Sequence, residues 1–292
     1  MTERMVEANG IELWCEDFGT LGDPAILLIM GAGGQGIIWP DDFCRALAAG
    51  GRHVIRYDNR DTGQSTCFDF ATHPYTAADV ARDAIGLLDT FGIERAHVVG
   101  ASMGGMIAQT LAIEHPERVR TLVSMMSTPL GQGFVRMMSG ESGPLPSPSP
   151  RVVEALAAQG SDAPATREEQ IEAAVDMARL IAGDRDPFDE AATRALEARM
   201  TARAKNPEAA VNHILAIGAS KDRTEDLSRI ATPTLVIHGT EDPCLPLPHG
   251  QATADAVPGA RLLVIEGMGH SIPVFARQQI VDAILEHTAD ND

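Results

Sequence analysis

Gly100-Ala101-Ser102-Met103-Gly104 places a serine between two glycines in the spacing G-x-S-x-G. The apolar run AHVVG (residues 96–100) leads into it, and the helical pattern MGGMIAQTLAIEH (103–115) begins directly after the serine. Strand, sharp turn and helix together form a nucleophile elbow, in which a strained turn lifts the serine hydroxyl clear of its neighbours. A Cβ at either flanking position would crowd the elements that meet there, which accounts for Gly100 and Gly104. The competing role for Ser102 is that of a helix N-cap followed by packing glycines.

A serine hydroxyl is a weak nucleophile at neutral pH, so a base must take its proton and an acid must orient that base. Nine histidines compete for the first role. Only His270 lies after a late strand in a glycine-bracketed loop, RLLVIEGMGHSIP, at the edge of the sheet where ligands gather in open α/β folds. His53 and His97 lie in or before strands, His115 ends a helix ahead of Pro116, and His287 is near the carboxyl end, so each reads as structural or solvent-facing. His213 lies in a helical stretch where it could face substrate. The acid is expected just past the strand before His270, where TLVIHGTEDP offers Glu241 and Asp242. Either gives the chain order serine, acid, histidine that accompanies an elbow.

An acyl transfer also needs two amide donors for the oxyanion of its tetrahedral intermediate. The N–H of Met103, next after the serine, supplies one. The other is expected from the loop after the strand AILLI, where Met30-Gly31-Ala32-Gly33-Gly34 lets backbone approach closely, with Ala32 as the donor. These glycines could also serve only a tight turn. No Lys-Ser/Thr pair follows them, which argues against a phosphate loop.

The elements that must position these groups can be read from periodicity. After an Asn9-Gly10 turn, residues 11–18 (IELWCEDF) alternate apolar and polar, as a hairpin strand at a sheet edge does. Short apolar runs at 25–30, 53–57, 96–100 and 121–126 alternate with helical patterns at 41–49, 76–91 and 103–115. That rhythm predicts a mostly parallel sheet, about eight strands in all, with helices on both faces. From 129 to 218 it stops: the Gly/Pro/Ser stretch at 139–150 is followed by helical segments without a strand, among them 167–182. The rhythm resumes with strands at 234–238 and 261–265 and helices at 248–256 and 274–288. The expected organisation is one α/β core of residues 1–128 and 219–292, interrupted by a helical cap at 129–218.

Composition narrows the function. The 292 residues carry a formal charge of −18, a field that repels nucleic acid and anionic membrane surfaces. Only Lys205 and Lys221 among the 23 basic residues are lysines, a compositional bias without chemical consequence. Cys15, Cys44, Cys67 and Cys244 show no CxxC pairing, so neither a disulfide framework nor a metal site is expected. Residues 1–10 lack the apolar core of a signal peptide, and no run approaches the length of a membrane span; a cytoplasmic location is expected.

The motifs LLIMGAG, WPDDF, HVIRYDNRDTGQST, ERAHVVGASMGG, TPTLVIHGTEDP and GMGHSIP resemble the α/β-hydrolase superfamily, and more narrowly the aclacinomycin methylesterase group of polyketide-tailoring esterases. The resemblance implies an α/β-hydrolase fold and selects Asp242 as the acid, from the G-x-x-D placement before Pro243. It completes the triad Ser102, Asp242 and His270, with no cofactor or metal. The implied activity is hydrolysis of a small-molecule carboxylic ester through an acyl-enzyme, by a monomer or homodimer. Thioesterase, lactonase, carbon–carbon bond hydrolase and cofactor-free perhydrolase chemistry would use the same triad, and a ligand-sensing receptor of this fold would retain it. Two motifs depart from the superfamily. The oxyanion loop begins Met30-Gly31 where His-Gly is common, and residues 58–65 read DNRDTGQS where D-x-R-G-x-G-x-S is common.

Overall fold

The computed structural model describes residues 2–161, 166–289 and 291. The chain opens with β1 (Thr2–Ala8) and β2 (Ile11–Phe18), an antiparallel hairpin whose two turn residues, Asn9 and Gly10, both have positive φ. A two-residue turn needs that conformation to match the twist of the strands it joins. There follow β3 (Ala25–Ile29), α1 (Asp41–Ala49), β4 (His53–Tyr57), α2 (Ala77–Thr90), β5 (Ala96–Ala101), α3 (Met103–Glu114) and β6 (Val119–Met125). The chain then runs through α4 (Gln132–Met138), α5 (Pro150–Ser161), α6 (Arg167–Ile181), α7 (Glu190–Arg203) and α8 (Asn212–Ala219), with no strand among the described residues of that stretch. It returns to the sheet with β7 (Thr234–Gly239), α9 (Pro248–Ala256), β8 (Arg261–Ile265) and α10 (Val274–Ala289).

The eight strands form one sheet in the order β1-β2-β4-β3-β5-β6-β7-β8, parallel from β4 onward, as the alternating pattern predicts. Side chains along a strand alternate between its faces, so the continuous apolar run of β3 serves both layers. Leu27 and Ile29 pack in the cluster that contains α2 and α3, while Ile26 and Leu28 pack with α1 and α10. Helix α3 is buried over residues 103–112, which explains why it is apolar nearly all round. The core therefore grips the elbow helix along its length, and the adjacent carboxyl ends of β5, β6, β7 and β8 project their loops from one edge.

Candidate active site

Ser102 stands between β5 and α3 at φ 55° and ψ −120°, a conformation that non-glycine residues avoid. Its surroundings hold it there. The Ser102 N–H donates to the Met125 carbonyl at the end of β6 (2.9 Å), and its carbonyl accepts from Gly105 N–H (2.9 Å) and Ser127 Oγ (2.7 Å). The sharp turn requires glycine where α3 meets β3: a Cβ on Gly104 would lie 2.0 Å from the Ile29 carbonyl oxygen. Met103 is the first residue of α3, where helix N–H groups have no carbonyl partner within the helix and point outward with the positive end of the helix dipole.

The loop after β3 passes directly over the serine. A Cβ on Gly31 would sit 2.9 Å from Ser102 Cβ and 3.4 Å from Ser102 Oγ, so the loop can approach this closely only because residue 31 has no side chain. A turn closes from Gly34 N–H to the Gly31 carbonyl (3.1 Å), and Ala32 is exposed within it.

Asp242 and His270, separated by 28 residues, are brought into contact by the pairing of β7 with β8, with His270 Nδ1 donating to Asp242 Oδ2 at 2.7 Å. That bond leaves Nε2 of a neutral His270 with its lone pair free. Asp242 is buried, and its Oδ1 accepts from the backbone N–H groups of Cys244 (2.9 Å) and Leu245 (2.8 Å). Burial by itself would raise the Asp242 carboxyl; the imidazoles of His270 and His238 outweigh it and hold the group well below the usual carboxylate range. Asp242, Cys244 and His270 also offer three donor atoms within 4.8 Å of one another, a set a metal could use. His270 Nδ1 and Asp242 Oδ2 already bond each other, and burial pushes the Cys244 thiol up, away from the thiolate a metal needs.

The sequence motifs do not point to His238, and Glu241 and His213, both candidates there, take other places. His238, at the end of β7, donates from Nε2 to the Leu245 carbonyl (2.6 Å) and lies 3.4 Å from Asp242 Oδ2, so a second imidazole flanks the acid. Nothing in TLVIHGTEDP singles out His238, and only its burial at the end of β7 brings it beside the acid. Glu241, the other carboxylate of TLVIHGTEDP, instead accepts the backbone N–H of Asp184 (2.7 Å) just beyond α6. His213 is fully buried in α8 and contacts the loop after β3. His53, His97 and His287 each bond within the core or its margin, to Asp17, Thr121 and the Pro233 carbonyl.

The helical stretch is attached along this same edge. The carbonyls of Ile181 and Ala182, at the end of α6, accept from His270 N–H (2.7 Å) and Gly269 N–H (3.3 Å). Helix α7 sends Arg203 onto the buried Asp58 (2.9 Å), and the Pro243 carbonyl accepts from Ser149 N–H (2.8 Å). A cleft of about 820 Å³ opens between α5 and α6, lined in part by Met177 and Leu180, whereas Met137 belongs to the core.

The turn 58–65 explains its own departure from the superfamily pattern. Asp61 occupies the place where glycine is common and has φ 66°, which aspartate tolerates better than most residues. Its carboxylate is then fully used, accepting from Phe68 N–H (2.6 Å), Tyr75 OH (2.6 Å) and Asn212 Nδ2 (3.1 Å).

The family described as alpha/beta hydrolase fold matches residues 24–276, a span that holds every element from β3 into α10. The chain belongs to the α/β-hydrolase fold family. Across 99% of its length it is 39% identical to rhodomycin D methylesterase DauP of Streptomyces sp. (strain C5), covering 98% of that protein. It is 38% identical, with the same coverage of each chain, to rhodomycin D methylesterase DnrP of Streptomyces peucetius. Among solved α/β-hydrolase structures, esterase RhEst1 from Rhodococcus sp. ECU1013 superposes with a TM-score of 0.80 at 20% identity, covering 100% of both chains, a likeness of fold.

Proposed function

We propose that this chain hydrolyses a carboxylic ester, with a methyl ester as the leading class, through Ser102, His270 and Asp242. The observation that carries the reading is the conformation of Ser102, a non-glycine residue held at φ 55° on the edge that also bears the His270–Asp242 pair. Whole-length similarity to two methylesterases supports the choice of ester.

In this reading the Ser102 oxygen attacks the ester carbonyl carbon while His270 Nε2 takes its proton, and Asp242 stabilises the imidazolium that results. The N–H groups of Met103 and Ala32 receive the oxyanion. Collapse of the tetrahedral intermediate breaks the carbon–oxygen bond to the alcohol, which leaves with the proton from His270. Water, deprotonated by the same imidazole, then attacks the acyl-serine, and a second collapse returns Ser102 and releases the acid. Residues 129–218 act as a cap over this edge and shape the pocket for the ester.

The test is a panel of p-nitrophenyl esters of graded chain length beside methyl esters of aromatic polyketides, with thioester and lactone arms, assayed on wild type and Ser102→Ala. Wild type should turn over a methyl ester with release of methanol. The variant should lose on the order of 10⁴-fold or more while melting at an unchanged temperature. Absence of ester turnover by wild type, or ester hydrolysis by the purified variant at the wild-type rate, would reject the proposal.

A further inference from the structure

The loop that passes over Ser102 has glycine at 31, 33 and 34, and such a backbone has little conformational preference of its own. It is clamped on both sides of Ala32. On one side Asn59 Nδ2 donates to the Met30 carbonyl (3.0 Å). On the other, the N–H of Gly33, which has φ 70°, donates to Nδ1 of His213 (2.9 Å), a residue 180 positions away. Because Nδ1 accepts, the ring proton is on Nε2, which donates to the Arg60 carbonyl (2.7 Å). One neutral imidazole thus ties the loop after β3 to the loop after β4. Its neighbour Asn212 fixes the ring's approach, donating to Asp61 Oδ2 (3.1 Å) and the Phe68 carbonyl (3.0 Å). Burial favours the neutral form of His213 and keeps the acceptor available, outweighing the bond to the Arg60 carbonyl and the charge of Asp61, which favour the protonated ring.

We infer that His213 is a positioning residue for the oxyanion site, setting through Gly33 the direction of the Ala32 N–H. The inference rests on the serine-hydrolase reading above. An oxyanion donor works only when it is preorganised within hydrogen-bond distance of the developing charge, and a mobile glycine loop would have to be ordered anew in each turnover. His213 does not touch the reacting atoms, so its removal should lower kcat and leave substrate binding nearly unchanged.

Two substitutions separate its bonds. In His213→Asn the side-chain oxygen can take the place of Nδ1 and keep the acceptor for Gly33. In His213→Gln the amide can reach the Arg60 carbonyl and the Gly33 acceptor is lost. His213→Asn should keep kcat within about threefold of wild type, and His213→Gln should lose about 10- to 100-fold in kcat with KM changed by less than about threefold. Affinity for a trifluoromethyl ketone transition-state analogue should fall in proportion to kcat/KM. Equal losses in both variants, or wild-type kcat in His213→Gln, would overturn the inference. Wild-type turnover in the same assay keeps that result distinct from failure of the hydrolase reading. Should neither variant fold, replacing residue 33 with glycolic acid deletes the single N–H; a kcat loss of about tenfold or more is expected, and an unchanged kcat overturns the inference.

Discussion

At the residue scale, the central physical problem is to keep one carboxylate ionised and one imidazole neutral within a shared hydrogen bond. Asp242 is buried, which by itself favours its neutral form, yet the imidazoles of His270 and His238 beside it hold its pKa down. A lowered carboxyl pKa leaves the ionised form in place as the medium is acidified, so Asp242 should add no step of its own to the loss of activity in acid. Plotted as log kcat/KM against pH, the acid limb should keep a slope of one through about pH 4, the ordinary carboxylate range. A slope that steepens to two in that range would mean that Asp242 titrates with ordinary affinity, against this account. That an acid after β7 meets His270 was legible from the strand-end motifs, and the family resemblance chose Asp242 over Glu241. The flanking imidazole of His238 and the bond from Gly33 to His213 were not, since each depends on loops that meet only after the sheet and α8 have packed.

At the scale of elements, the elbow is a contact between α3 and the ends of β3 and β5 in which backbone meets backbone. Gly104→Ala puts a methyl group 2.0 Å from the Ile29 carbonyl oxygen, an atom that cannot rotate away. The helix or the strand must shift, and a destabilisation of about 3 kcal/mol is expected, at the upper end of ordinary overpacking costs. Urea titration of the variant checks this, and a change under about 0.5 kcal/mol, the range of neutral surface substitutions, would show that the two elements are less tightly joined than described. Strands and helices of the α/β core were readable to within a few residues, since buried parallel strands are continuous apolar runs and their helices carry a 3.6-residue period. The β1 strand gave a weaker signal: most of its residues are exposed, so TERMVEA has no buried face to impose a pattern. How α6 and α7 dock was also illegible. Their anchors are the Ile181 and Ala182 carbonyls on the His270 loop and Arg203 on Asp58, and backbone carbonyls leave no mark in a sequence.

On the scale of the whole molecule, the helical stretch is joined at several loops to the edge that bears Ser102, Asp242 and His270, and we propose that residues 129–218 act as the cap that selects substrate. Insertions between strands that end on one edge must overhang it, and both β6 and β7 end there. Exchanging 129–218 for the corresponding segment of a related esterase should change relative kcat/KM among large esters more than it changes the rate on a minimal acetate ester. A folded chimera with the parental preference profile would place selectivity in the core loops. The overall charge of −18 sets the context in which any ester arrives and disfavours polyanionic ligands. Among the described residues no helix is long and apolar enough to cross a membrane.

The central claim, that Ser102 carries the acyl group during turnover, is tested most directly by trapping that group. Enzyme mixed with a p-nitrophenyl ester and quenched in acid before steady state should show a burst of p-nitrophenolate equal to the enzyme present. Intact-mass measurement should find one added acyl group, and peptide mapping should place it on Ser102. Turnover without such a burst or adduct, or an acyl group on any other residue, would contradict the account.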